Sequence, residues 1–177
     1  QPTLQEADHY EAIFSQGRVE FRRRDDDIET YTVMIVSPED DIEVRRTHLT
    51  NHCRIKRILS VTSYGEVVLA SSSADDSHPA FSNLFVQTEI NEQQNAIICT
   101  RRPRSREENP PWMFHLVKVN GANINDVSYE TDRNKFIGRG YSISHPRVMD
   151  SGQFLSGSQG SVLDPIVSIQ YTLTLQP

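Results

Sequence analysis

The segment ETDRNKFIGRG, residues 130–140, carries the densest set of groups able to do chemistry: a carboxylate at Asp132, guanidiniums at Arg133 and Arg139, and glycines at 138 and 140. Arginine's rigid five-donor fork suits carboxylates and phosphates, and glycine accepts the backbone conformations that let a loop turn tightly toward a partner. Asp132 falls between a strand end and a glycine-rich loop. That position favours loop fixing, by an Asx-type bond to the local backbone or an ion pair with Arg133 or Arg139, over direct proton chemistry. For the two arginines the pattern supports two readings equally: an internal salt bridge, or a surface that contacts another body.

HPAFS (78–82) and Trp112 are the other candidates. His78 precedes Pro79 and is held extended. Phe81 could anchor an apolar contact or stack on a sugar face, and Trp112, the one tryptophan, follows Pro110-Pro111 and could do the same. Core burial is the expectation for Phe81, Phe85 and Trp112, with a structural hydrogen bond for His78.

Other chemistry is poorly supported. The six histidines include His48 and His52, four apart, but in a strand-turn-strand context that spacing does not bring two imidazoles to one face, so no metal site is expected. Gly138-x-Gly140 lacks the strand-to-helix context of a phosphate loop, and no serine occupies G-x-S-x-G. The acidic runs 25–27 and 39–41 read as solvated turns. Cys53 and Cys99 are too few for a disulfide framework and read as buried small apolar groups in a reducing compartment.

The elements that must position these residues are strands. Period-two patterning marks 18–24, where Val19 and Phe21 share a side opposite charges, then 28–36 after a hairpin turn at 25–27, 42–50, and a long run from 54 to 70. Residues 71–83 read as a polar loop. Strands follow at 84–90 and 96–102, joined by NEQQN, and at 112–119 after a proline-containing loop. Residues 120–126 turn the chain, 130–140 could hold one helical turn capped by Thr131 or Asp132, 141–159 are mostly loop, and 161–175 close the chain as one long strand. Successive strands without βαβ alternation imply an antiparallel all-β domain, a sandwich or barrel. The 177 residues suit a single domain, with net charge −6 and pI near 5.5. Arginine outnumbers lysine 15 to 3, yet the bases are interleaved with acids, so nucleic acid is not an expected partner. No apolar run is long enough to span a membrane. The first residue is not Met, which suggests a piece of something longer.

Six blocks in order, 36–51, 61–70, 78–90, 99–105, 129–140 and 160–175, resemble the non-catalytic β-sandwich of glycoside hydrolase family 94, formerly glycosyltransferase family 36. The likeness is strongest to the phosphorylase-like region of cyclic β-1,2-glucan synthases. Residues 132–140 resemble the family's DR-x-x-F-x-GRG motif; the arginine usual after GRG is Tyr141 here. The resemblance implies a two-sheet supersandwich of the galactose-mutarotase-like kind, without a catalytic residue of its own. It places the general acid and the phosphate-binding groups on an (α/α)6 barrel that follows in sequence. Implied with it are β-glucan oligosaccharides acting through the parent enzyme, inorganic phosphate as that parent's co-substrate and no cofactor in this segment. A helical catalytic domain and a homodimer contact are the implied partners, with a cytoplasmic location and no membrane contact by this segment. On that view Asp132, Arg133, Arg139, His78, Phe81 and Trp112 are candidates to face barrel or substrate. The competing readings are an autonomous carbohydrate-binding module and, more remotely, a mutarotase-like enzyme, which would need a histidine or carboxylate pair converging on a concave sheet face.

Overall fold

The computed structural model describes residues 6–103, 105–150 and 152–177. The chain forms antiparallel sheets with few helices, and its residues group into two compact units.

The described part of the first unit covers residues 6–59 and 174–177. It is a four-stranded meander of β1 (His9–Ser15), β2 (Arg18–Asp25), β3 (Ile28–Val36) and β4 (Glu43–Asn51) in chain order. The β2–β3 connection is a two-residue turn in which Asp26 and Asp27 have φ of 44° and 63°. Positive φ at both central residues matches the twist of the flanking strands, and aspartate tolerates it better than most residues. Only Glu20 and Ile28 of this unit's described residues are buried, whereas Phe14 is 77% and Val36 66% exposed. Glu20 lies on the charged side of β2 that the alternation assigns to solvent. Tyr31 donates to its carboxylate at 2.6 Å and Arg18 pairs with it at 2.7 Å. β1 is an additional strand that the pattern reading does not contain.

The second unit, described over residues 60–173 apart from 104 and 151, carries the core. Its centre is β11 (Pro165–Leu175), flanked by β10 (Asn123–Asp132) and β5 (Arg57–Thr62), with the two-residue β6 (Gly65–Glu66) also paired to β11. The side chains of Ile166, Val167, Ile169 and Tyr171 are 1% exposed or less. Burial on both faces explains a near-continuous apolar run, and each such side chain stabilises the fold by about 1.5–3 kcal/mol. A three-stranded sheet is made of β7 (Val86–Asn91), β8 (Ala96–Arg101) and β9 (Met113–Leu116), in that order. The free edge of β7 is tied to Gly160, whose N–H donates to the Thr88 carbonyl at 2.7 Å while Thr88 N–H returns a bond at 3.0 Å.

Three expectations are corrected. The stretch 71–83 contains two short helices, α1 (Ser72–Ser77) and α2 (Pro79–Asn83). Pro79 starts α2, where its missing N–H costs nothing. The run 54–70 is not one strand: β5 ends at Thr62 and β6 is only Gly65–Glu66, and between them Ser63 keeps its backbone N–H on the Ile169 carbonyl at 2.9 Å while its hydroxyl, not its carbonyl, accepts from Ile169 N–H at 3.0 Å. The turn assigned to 120–126 is shorter, since β10 already begins at Asn123.

Candidate functional site

The ETDR segment marks the end of β10 and the start of a one-and-a-half-turn helix, α3 (Arg133–Ile137). Asp132 is its N-cap, its Oδ1 accepting from Asn134 N–H at 2.9 Å, so this carboxylate is the loop-fixing Asx-type group. α3 is held down by Phe136, which packs at 1% exposure with Val148, Leu155 and Ile166, and by its ring contact with Tyr64 at 5.0 Å. The helix ends at Gly138, with φ +86°, where a Cβ would stand 2.7 Å from Cβ of Arg147. Only glycine fits both that dihedral and that approach.

Arg133 is an internal tie. Its guanidinium lies 3.4 Å from Glu66, 3.4 Å from Asp164 and 3.4 Å from the Tyr64 hydroxyl, and the Tyr64 contact, with the two carboxylates adding, raises its already high pKa. Asp164 also accepts from Asn83 Nδ2 at 3.3 Å. The last residue of α2 is thus joined to the arginine through one carboxylate, which brings the HPAFSN and DRNKFIGRG segments together. Arg139 differs. It is exposed and makes no ion pair among the described residues. It lines an open depression of ≈520 Å³ together with Arg133, Asn134, Ile137, Gly138, Tyr141, Ser142 and Ile143. Tyr141, in the place of the family's usual arginine, stacks on His145 at 5.8 Å and donates to Asp150 at 3.1 Å.

Beneath this loop lies a residue the sequence reading does not single out. Glu130 is 1% exposed. Its Oε1 accepts the backbone N–H groups of Thr131 and Asp132, both at 3.0 Å, and its Oε2 accepts Ser156 N–H at 3.2 Å and Ser156 Oγ at 2.6 Å. Four donors on one buried carboxylate latch the loop at 156 to the end of β10, with the serine partner 26 residues away in the chain. Thr131, fully buried, extends the latch by bonding Thr88 Oγ1 at 2.7 Å and the Ser158 carbonyl at 2.9 Å.

The remaining candidates stand apart from these expectations. The His78 imidazole is exposed and has no hydrogen-bond partner among the described residues; His78 acts through its backbone, accepting from Ser82 N–H at 2.9 Å. Phe81 is 55% exposed and touches Phe85 edge-on at 5.3 Å, so it is not core. Phe85 is half-buried under the guanidiniums of Arg101 and Arg102 at 5.3 and 5.5 Å. Trp112 is 62% exposed just before the short edge strand β9, also contrary to core burial. Cys99 is buried, and burial pushes its thiol up to about 12, whereas Cys53 is only half-buried, against the expectation for it.

Chemically the site offers the exposed Arg139 guanidinium, which makes no ion pair among the described residues, a glycine-shaped backbone and an exposed tyrosine ring. Asp132 Oδ1 caps α3, and the Glu130 carboxylate accepts the four bonds of its latch. No grouping of three or more His, Cys, Asp or Glu suited to a metal occurs among the described residues, and no described helix is long and apolar enough to cross a membrane.

Comparison with known proteins agrees with this architecture. The chain is 38% identical over 157 residues, 89% of its length, to the cyclic beta-(1,2)-glucan synthase NdvB of Rhizobium meliloti (strain 1021), and the matched part is 6% of that protein. The family model for the glycosyl hydrolase 94 supersandwich domain matches residues 1–177, and the chain belongs to that family.

Proposed function

We propose that this chain is a non-catalytic, carbohydrate-associated domain of a larger β-glucan phosphorylase or cyclic β-1,2-glucan synthase-type glycosyltransferase, in which the loop 132–143 faces a helical catalytic region. The single observation that carries this reading is the division of labour in that loop. Asp132, Arg133 and Glu130 are consumed by internal bonds, while Arg139 is left exposed beside an open depression. An exposed arginine without an ion-pair partner among the described residues is suited to a carboxylate on a neighbouring body or a substrate oxygen. Exposed apolar groups on one face of the four-stranded sheet support the same reading: Phe14 and Val36 fall on the side shared by Val19 and Met34 in the strand register. In the parent, inorganic phosphate would be the co-substrate, and a homodimer contact would be a second use of such a face.

The test supplies the helical catalytic region of the parent as a separate chain and measures association by sedimentation velocity. Association is expected, and Arg139→Glu should weaken it at least about tenfold, equivalent to ~1.4 kcal/mol. No association, or an Arg139→Glu chain that binds like wild type, refutes the reading.

A further inference from the structure

We infer that the outer face of the β7–β9 sheet, centred on Trp112 and Phe114, is a binding site for a neutral β-linked glucan chain; the choice of ligand rests on the carbohydrate-associated role proposed above. Side chains alternate along β9, so Phe114 and Leu116 share one face, and Trp112, the residue before the strand, stacks on Phe114; the three are 62% (Trp112), 59% (Phe114) and 61% (Leu116) exposed. The Trp112 and Phe114 rings stand 6.3 Å apart with planes 25° from parallel. Aromatic faces of that kind take the C–H face of a pyranose, and the spacing is comparable to one sugar unit.

Register supplies the polar complement. Ile98 is opposite both Phe114 and Glu89, and Thr100 is opposite Gln87, so these residues share the face of the rings. Gln87 and Glu89 are exposed and have no side-chain partner among the described residues. An amide and a carboxylate beside two rings provide both donors and acceptors for sugar hydroxyls. Glu89 is the one charged group in this set, which disfavours an anionic ligand. Size argues against a protein occupant. The two rings and Leu116 expose about 300–400 Å², short of the ~800 Å² per partner that a stable protein interface takes. A narrow oligosaccharide fits that area.

Trp112 is the chain's one tryptophan, so its emission reports the site directly. The chain is titrated with β-1,2-linked gluco-oligosaccharides, with cello-oligosaccharides and with α-1,4-linked malto-oligosaccharides as control. A saturable emission change with a β-linked series is expected, with Phe114→Ala weakening it about tenfold. The exposed substitution Glu89→Gln serves as a second variant should Phe114→Ala disturb the fold by near-ultraviolet circular dichroism, and it should weaken binding several-fold. Flat emission with both β-linked series, equal response to the α-linked control, or unchanged affinity in both variants overturns the site. So does an emission change produced by the helical catalytic region and by no sugar. Retained association with that region in the absence of sugar binding would sink the site and leave the proposed function standing.

Discussion

Replacing Glu130 tests whether the loop is mounted as described. The carboxylate is 1% exposed and accepts three backbone N–H groups and one hydroxyl, at 2.6–3.2 Å. Hydrogen bonds to a charged acceptor contribute about 1.5–3 kcal/mol each, but they are not additive, and part of the loss in Glu130→Ala would be recovered by water entering the vacated space. A net destabilisation of about 3–5 kcal/mol is expected, within the range of a broken buried network. Glu130→Gln keeps the volume but turns an NH₂ toward groups that are themselves donors, so about 2–3 kcal/mol should be lost although only one oxygen has changed. The measurement is urea unfolding followed by Trp112 emission, which reports the unit that contains Glu130. If Glu130→Gln unfolds within about 0.5 kcal/mol of wild type, the size of an ordinary surface substitution, the latch is not what holds the loop.

Four further outcomes follow from the same geometry. Gly138→Ala should cost about 2–3 kcal/mol, because strain at φ +86° is joined by a 2.7 Å approach to Arg147, whereas Gly140→Ala, at φ +83° with open space, should cost only about 1 kcal/mol; urea midpoints decide. Asp132→Ala should lose about 1 kcal/mol of stability as a missing helix cap and leave any partner binding intact, since its carboxylate faces Asn134 N–H. Under native conditions at pH 8, iodoacetamide should label half-buried Cys53 first and spare Cys99, with both labelled in denaturant; native labelling of Cys99 at an equal rate would contradict its burial. The Cys99 thiol is raised from 9.0 to about 12 in the folded state, so its contribution is fully present below pH 9 and is lost as pH climbs toward 12. Relative to Cys99→Ala, wild type should therefore lose stability over that alkaline window in pH-dependent unfolding.

Residue pattern reaches furthest where a strand carries its own signal. The β-branched run at 28–36 is β3 in full, and NEQQN between 90 and 96 holds the β7–β8 turn at 92–95, in which Asn95 takes φ 51°. Polar or very short elements escape it. β10 opens with Asn-Ile-Asn-Asp, which reads as turn chemistry, and SSADDS has no apolar face from which a helix could be inferred. β1 did hold a readable period in Tyr10, Ala12 and Phe14, but its apolar side is exposed and the run is weak. The cap at Asp132 was legible because its partner is two residues away. The partners of Arg133 and the Ser156 end of the Glu130 latch lie 26 to 69 residues distant, where only the fold can join them. Alternation also cannot say which face of a four-residue edge strand is inside, so the core burial expected for Trp112, just before β9, gives way to an exposed ring.

The proposed role requires that this chain carry no catalytic acid of its own. The most direct measurement incubates the purified chain with β-1,2- and β-1,4-linked gluco-oligosaccharides and inorganic phosphate and follows release of glucose 1-phosphate and of free glucose. The account predicts no turnover above the uncatalysed rate with either series. Turnover that disappears in Asp132→Asn, a variant whose side-chain oxygen can still cap α3, would contradict it.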